Sequence, residues 1–261
     1  MATPQAPESV APPPSPGAAP EPRRLSTGHG TAWWGEGWRI FAAAPLMWIG
    51  IVLVFFVLML VMVLVPLIGS LAQTLLFPVF WGGTMLGCDA LARGQPLRFG
   101  HLFDGFAAGR FGPLVILGLV MLAAGIVLSL IVVIVAFFTI GIAGLSTLAS
   151  LADPATVDIR ALYALGWALL IVFVVAFIGF GLIAMAYWFA PALVVLNGEE
   201  PVTALRKSFV ASVRNLDAMV IYGLIYIALA VVATLMLGLG WLVLGPMIIG
   251  SCYAGWRTVF G

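Results

Sequence analysis

The sequence predicts an all-α integral membrane protein: six transmembrane helices forming three hairpin pseudo-repeats, each preceded by an interfacial amphipathic segment. Three observations predict this. Hydrophobic residues make up 63% of the 261 positions and charged residues 8%, whereas soluble domains carry roughly 25% charged residues. No Asp, Glu, Lys or Arg lies between Arg39 and Asp89, Arg110 and Asp153, Arg160 and Glu199, or Asp217 and Arg257. A helical span needs about 20 apolar residues, and each of these gaps holds about twice that. The apolar runs are also continuous, as at 51–65, where barrel strands would alternate polar and apolar positions.

Residues 1–32 differ in kind. They are rich in Pro, Ala and Ser and have no apolar run, so they bury too little surface to offset ordering and are expected to form a disordered cytoplasmic tail with polyproline-II character. The basic start and apolar segment of a signal peptide are missing, and the first hydrophobic segment is expected to remain as an anchor. Ala11–Pro16 carries a PxxP-like spacing, for which a flexible spacer is the simpler reading.

Residues 33–261 are read as the membrane domain, with units of about 33–96, 97–201 and 202–261. The first gap makes a hairpin of spans at Leu46–Val65 and Leu71–Leu91, turning at Pro66–Ser70 and bending near Pro78. The last gap makes spans at Leu216–Leu237 and Trp241–Val259, turning at Gly238–Gly240. The two middle gaps each read as one long, tilted helix, Pro113–Phe138 and Leu162–Leu196. The alternative is eight spans, with turns within 111–198, for example at Gly179–Gly181; that split leaves segments near the lower length limit. In the six-span arrangement ten of the eleven basic residues share one face, and only Arg160, beside Asp153 and Asp158, falls on the other. The positive-inside rule makes the basic face, with both termini, cytoplasmic. Trp33, Trp34 and Trp38 before the first span, and Trp241 and Trp256 around the last, are expected at the headgroup level.

The three lead-in segments are Trp33–Phe41, Phe99–Phe106 and Val202–Phe209. Each is expected to lie in the interface with apolar rings in lipid; in the third, Leu205, Phe209 and Val213 share one face, away from Arg206 and Lys207. Pro45, Pro113 and Asn215 follow as helix-start or turn residues, and units one and two end in related turns, Gly94-Gln-Pro96 and Gly198-Glu-Glu-Pro201. Pro78, Gly82 and Gly87 of the first unit match Pro246, Gly250 and Gly255 of the third in spacing.

Signals for chemistry are sparse. No ionisable residue sits in mid-span, where burial is costly and marks function. Asp89 and Arg93 are four residues apart on one helix face, the spacing of an interfacial ion pair. Asp217 at a helix start favours the dipole. His29 and His101 lack clustered partners for a metal site, and Cys88 and Cys252 read as small packing residues. No nucleotide-binding fingerprint occurs, and no cofactor is expected. The net charge of +1 excludes a nucleic-acid footprint. Gly83 and Gly87 form a GxxxG pair, and Ala186 and Ala190 a small-xxx-small pair, read as intramolecular packing. Gln73, Thr74 and Thr84 are the residues that could line a polar path. Asp89, Arg93, Arg206, Lys207 and Arg214 are the candidate partner contacts; Pro78, Gly83, Gly87, Pro246, Gly250 and Gly255 are the candidate packing residues.

The connections at 88–106, 198–215 and 245–260 resemble an uncharacterised family of proteobacterial inner-membrane proteins, over roughly 33–261. A looser resemblance is to the membrane domain that precedes glycerophosphodiester phosphodiesterase catalytic domains; this chain has no room for such a catalytic domain, so that activity is not expected. The resemblance implies a bacterial inner-membrane location and an architecture, without a reaction. The expected role is a non-enzymatic scaffold, assembly or regulatory component, with the lipid bilayer and a membrane-protein partner or second copy as its contacts. The alternative is a permease or channel-like protein for a small or lipid-like solute.

Overall fold

Continuous apolar runs bounded by charges or by Gly and Pro set most of the helix ends. In a computed structural model the described residues are 21–151 and 159–261. They form nine α-helices and one 3-10 helix, with no strand among them. The helices are α1 (His29–Ala43), α2 (Pro45–Val63), α3 (Ile68–Ala92), α4 (Phe111–Leu151), α5 (Ile159–Tyr187), α6 (Ala190–Asn197), α7 (Pro201–Arg214), α8 (Leu216–Leu235) and α9 (Trp241–Phe260); the 3-10 helix is Phe99–Phe106. Pro45, Pro191 and Pro201 stand in the first turns of α2, α6 and α7, where a missing N–H costs nothing. Gly94 and Gly198 close α3 and α6 in the left-handed region. The next amide in each case returns to a helix carbonyl, Gln95 to Ala90 at 2.8 Å and Glu199 to Leu193 at 3.2 Å.

Five stretches are long and apolar enough to cross a membrane: Pro45–Val63, Ile68–Ala92, Phe111–Gly141, Ile159–Asn197 and Leu216–Leu235. The expected sixth, Trp241–Val259, is helical as α9 but falls outside this set. Pro246, Gly250, Ser251, Tyr253 and Gly255 dilute its apolar content, and all five are buried against neighbouring helices. The two middle helices are longer than expected. α4 runs unbroken past Gly141 and Gly144 for 41 residues, and α5 runs through Gly179 and Gly181, so neither contains the turn that an eight-span chain needs. The expected span Leu162–Leu196 instead breaks at Trp188–Phe189 before Pro191, because proline removes an amide and crowds the preceding turn.

Three corrections concern the lead-in segments. The stretch 1–32 is ordered where the structure describes it: residues 21–28 lie against α7–α9, and α1 begins at His29. Residues 1–20, with the PxxP-like spacing, lie outside the described residues, as do Asp153 and Asp158. Trp33 and Trp34 are core residues, not headgroup anchors. Trp33 Nε1 donates to Thr258 Oγ1 at 3.0 Å, and Trp34 Nε1 donates to the Tyr222 carbonyl at 3.2 Å while its ring stacks on Tyr222 at 4.6 Å. Trp38 alone of the three is exposed. Finally, α7 does not hold Leu205 toward lipid. Its buried face is Ala204, Leu205, Ser208, Ala211 and Ser212, with Val213 exposed, because small side chains let it approach α5 closely.

The lead-ins share a packing rule. The 3-10 helix packs on α3, α7 packs on α5 and α6, and α1 packs on α9 and α8. The 3-10 helix and α7 thus each pack on the helix just before them in the chain, and α1 packs on the last two helices.

Candidate functional site

Two groupings of polar residues stand out. The first is a layer at the helix ends where the charges gather. Asp89 Oδ2 pairs with Arg93 at 2.6 Å, as the four-residue spacing predicts, and Asp89 Oδ1 also accepts the Tyr253 hydroxyl at 3.1 Å. Glu36 of α1 pairs with Arg39 and, at 3.2 Å, with Arg257 of α9. Glu199 and Lys207 pair at 2.8 Å, with side chains only 9% and 18% exposed. Trp256 Nε1 donates to Asn197 Oδ1 at 2.8 Å. Of these, Tyr253–Asp89 links α9 to α3, Arg257–Glu36 links α9 to α1, and Trp256–Asn197 links α9 to α6. Exposed ion pairs contribute little; in the shielded Glu199–Lys207 pair the desolvation of both charges offsets much of their attraction, so losing one partner would cost more than the intact pair contributes.

Of the candidate contacts, Asp89, Arg93 and Lys207 are engaged inside the protein. Arg214 donates to the Pro22 carbonyl at 3.1 Å. Arg206 is exposed. The candidate packing residues meet partners within the chain. A Cβ on Gly83 would strike the carbonyls of His101 and Leu102, and one on Gly87 would come within 2.9 Å of Leu97. The GxxxG pair therefore seats the 3-10 helix. Gly250 crosses Gly37 of α1, a Cβ there lying 3.1 Å from Gly37 Cα, and Gly255 faces Phe189. Pro78 and Pro246 are buried inside α3 and α9. Cys88 and Cys252 are buried and free, and Cys252 Sγ donates to the Trp188 carbonyl at 3.1 Å.

His101 is buried in the 3-10 helix, where its Nδ1 accepts the Arg98 amide at 3.0 Å. That bond places the ring proton on Nε2. Burial holds its pKa below the ordinary imidazole value, Asp104 opposes this, and Arg98 adds to it.

The second grouping is a cleft of about 610 Å³ between α3, α4, α5 and α8, lined by the first half of α3 and the last turns of α5. Gln73, Thr74, Phe77, Trp81, Tyr187 and Tyr226 are among its lining residues. Two of the three polar-path residues are therefore brought together. Thr84 is not: its hydroxyl donates to the Trp81 carbonyl at 2.7 Å. Thr74 donates to Ser70 at 2.9 Å. The Tyr187 hydroxyl is buried without a hydrogen-bond partner among the described residues.

Sequence reasoning missed two positioning groups. Ser208 bridges the break between α5 and α6: its Oγ accepts the Phe189 amide and donates to the Met185 carbonyl, both at 2.9 Å, and Ser212 adds a bond to Met185 at 3.1 Å. The Met185–Phe189 ladder bond is replaced by a side chain from another helix. The only hint in the sequence is the i, i+4 spacing of two serines. Asn215, read only as a turn residue, is buried and makes three side-chain hydrogen bonds, to Leu25, Arg23 and Ala211.

The chain is 28% identical, over 91% of its length and 93% of the other's, to a protein of Burkholderia thailandensis named a probable inner membrane protein. No family profile and no solved structure matches it. The relative and the five apolar helices agree: this is a multi-pass membrane protein of the bacterial inner membrane.

Proposed function

We propose that the protein is a non-enzymatic scaffold, assembly or regulatory component that engages another membrane protein along the α4–α5 arm. One observation carries this reading. None of the most apolar stretch of α4, and 6% of that of the α5–α6 segment, is buried within the chain, against 56% for α3. α4 has 41 residues, about 60 Å at 1.5 Å per residue, twice the roughly 30 Å hydrocarbon core. Such an arm offers a long lateral surface. In this reading α9 is the sixth span, shielded from lipid by its neighbours, and both termini are cytoplasmic. The lead-in packing supports three pseudo-repeats closed into a ring, and the looser likeness to the membrane domain of glycerophosphodiester phosphodiesterases is one of architecture alone.

Photo-crosslinking residues at Phe137 and Phe173, both exposed on the arm, test the proposal in native membranes. One protein recovered in stoichiometric yield is expected; adducts with lipid alone would overturn it. For the sidedness, an Asp158→Cys variant labelled only from the cytoplasm would overturn the six-span arrangement.

The cleft favours a second reading, binding or passage of a small or lipid-like solute, since Gln73, Thr74 and Tyr226 offer polar groups on an otherwise apolar, aromatic wall. A proteoliposome flux panel tests it: no flux above empty vesicles would remove it.

A further inference from the structure

The segment Pro22–Thr27 crosses the charged end of the molecule as a strap. Asn215 Oδ1 accepts the Leu25 amide at 2.7 Å and Nδ2 donates to the Arg23 carbonyl at 3.0 Å. Arg214 holds the Pro22 carbonyl at 3.1 Å, the Arg23 amide donates to Val259 at 2.9 Å, and the Thr27 hydroxyl donates to Asp217 Oδ2 at 2.7 Å. Docked in this way, the strap forms one wall of an open groove of about 520 Å³ at the junction of α7 and α8. Arg24 comes from the strap and Arg214 from the end of α7; Leu216, Val220 and Ile221 of α8 supply an apolar side.

Below the groove, Leu216, Val220, Leu224, Ile227 and Val231 continue as one exposed apolar stripe along α8, which is long and apolar enough to cross a membrane. Two guanidinium groups therefore stand at the level where a spanning helix ends, directly above a surface suited to an acyl chain. Asp217 shares the groove and keeps its charge while accepting the Thr27 hydroxyl, with Arg24 near enough to act on it; two arginines still leave the groove one positive charge in excess. A guanidinium has five N–H donors. With one Arg214 donor on Pro22, others remain for a phosphate.

We propose that this groove binds the headgroup of an anionic phospholipid, with Arg24 and Arg214 on the phosphate and an acyl chain along the Leu216–Val220–Leu224 stripe. Basic residues just outside a span recognise anionic lipids in this manner, each Lys or Arg contributing about fivefold in affinity. Because Arg24 rides on the strap, the site is complete only while Asn215 holds the strap in place.

The test uses the full chain in zwitterionic detergent with fluorescent phosphatidylglycerol as probe and phosphatidylcholine as control. The Arg24→Gln/Arg214→Gln pair is expected to weaken phosphatidylglycerol binding by about 25-fold while leaving phosphatidylcholine unchanged. Asn215→Ala is expected to reproduce the loss due to Arg24, Arg24→Lys to retain most binding, and Arg93→Gln to bind as the parent does. Unchanged binding in the double variant overturns the proposal. So does displacement of the lipid by millimolar inorganic phosphate, which would mark a site for the free anion.

Discussion

The helices gathered around α9 and the α4–α5 arm draw on the same apolar alphabet yet solve opposite problems. Around α9 the chain buries Trp33, Trp34, Trp48 and Phe189 and lets backbones touch at Gly37, Gly83 and Gly250. Along the arm, Phe137, Phe138, Phe173 and Phe177 are 61–72% exposed, and Gly125, Gly166 and Gly181 have nothing nearby. Lipid tails are as apolar as leucine, so burial of greasy side chains does not drive helices together in a bilayer; close packing and hydrogen bonds do. The α9 region has both. Beyond the stretches where α4 packs on α3 and α5 packs on α7, the arm has little besides the contact of α4 with α5, including the Thr147 hydroxyl on the Ala161 carbonyl at 3.1 Å. A membrane helix can therefore be very hydrophobic and weakly held, or moderately hydrophobic and central.

Substitutions graded across the two regions would break or sharpen this contrast. The largest effect is expected for Gly37→Leu, whose side chain would strike the Met247 carbonyl and crowd Ser251; overpacking there costs about 3 kcal/mol, read as a fall in the thermal midpoint of the detergent-solubilised protein. Asn215→Ala follows, at about 2 kcal/mol, since it strands the partly buried Leu25 amide and frees the strap; faster hydrogen exchange at residues 22–27 would report it. Ser208→Ala is expected to cost about 1–2 kcal/mol by leaving the Phe189 amide unpartnered at the α5–α6 break. A smaller effect comes from His101. Its folded pKa lies below the unfolded value near 6.5, so its contribution is full above that value and lost as pH falls through the lower folded value. The thermal midpoint should thus drop as pH falls below about 6.5, and His101→Gln should flatten the slope. Gly181→Leu on the arm should change stability by under about 0.5 kcal/mol. A cost there equal to that at Gly37 would abolish the distinction.

How much was legible follows the same division. α2, α3 and α8 match their expected spans to within a few residues, because a long apolar run between charges or breakers leaves a helix few places to end. The Asp89–Arg93 pair was legible from its spacing, and the αL glycines 94 and 198 from their turns. The placement of α1 was not. Trp33 and Trp34 carry the same sequence signal whether they sit at headgroups or pack against Tyr222 and Thr258, and only the positions of α8 and α9 distinguish the two. Asn215 was unreadable for the same reason: its partners Leu25 and Arg23 lie about 190 residues away. The break at Trp188–Phe189 has a local cause in Pro191, but its repair by Ser208 comes from another helix.

By itself, then, the sequence determined that the chain lives in a membrane, that it is helical, and where most of its apolar helices begin and end. Those properties are sums over local composition, since the transfer of a segment into hydrocarbon depends on its own side chains and backbone satisfaction. Only the tertiary structure decided that α9 is a packed centre, that the far parts of α4 and α5 stand apart from it, and that residues 21–28 form a strap over Asn215. Close approach and hydrogen bonding are properties of pairs, and the partner is named only when the chain has brought it within about 3 Å.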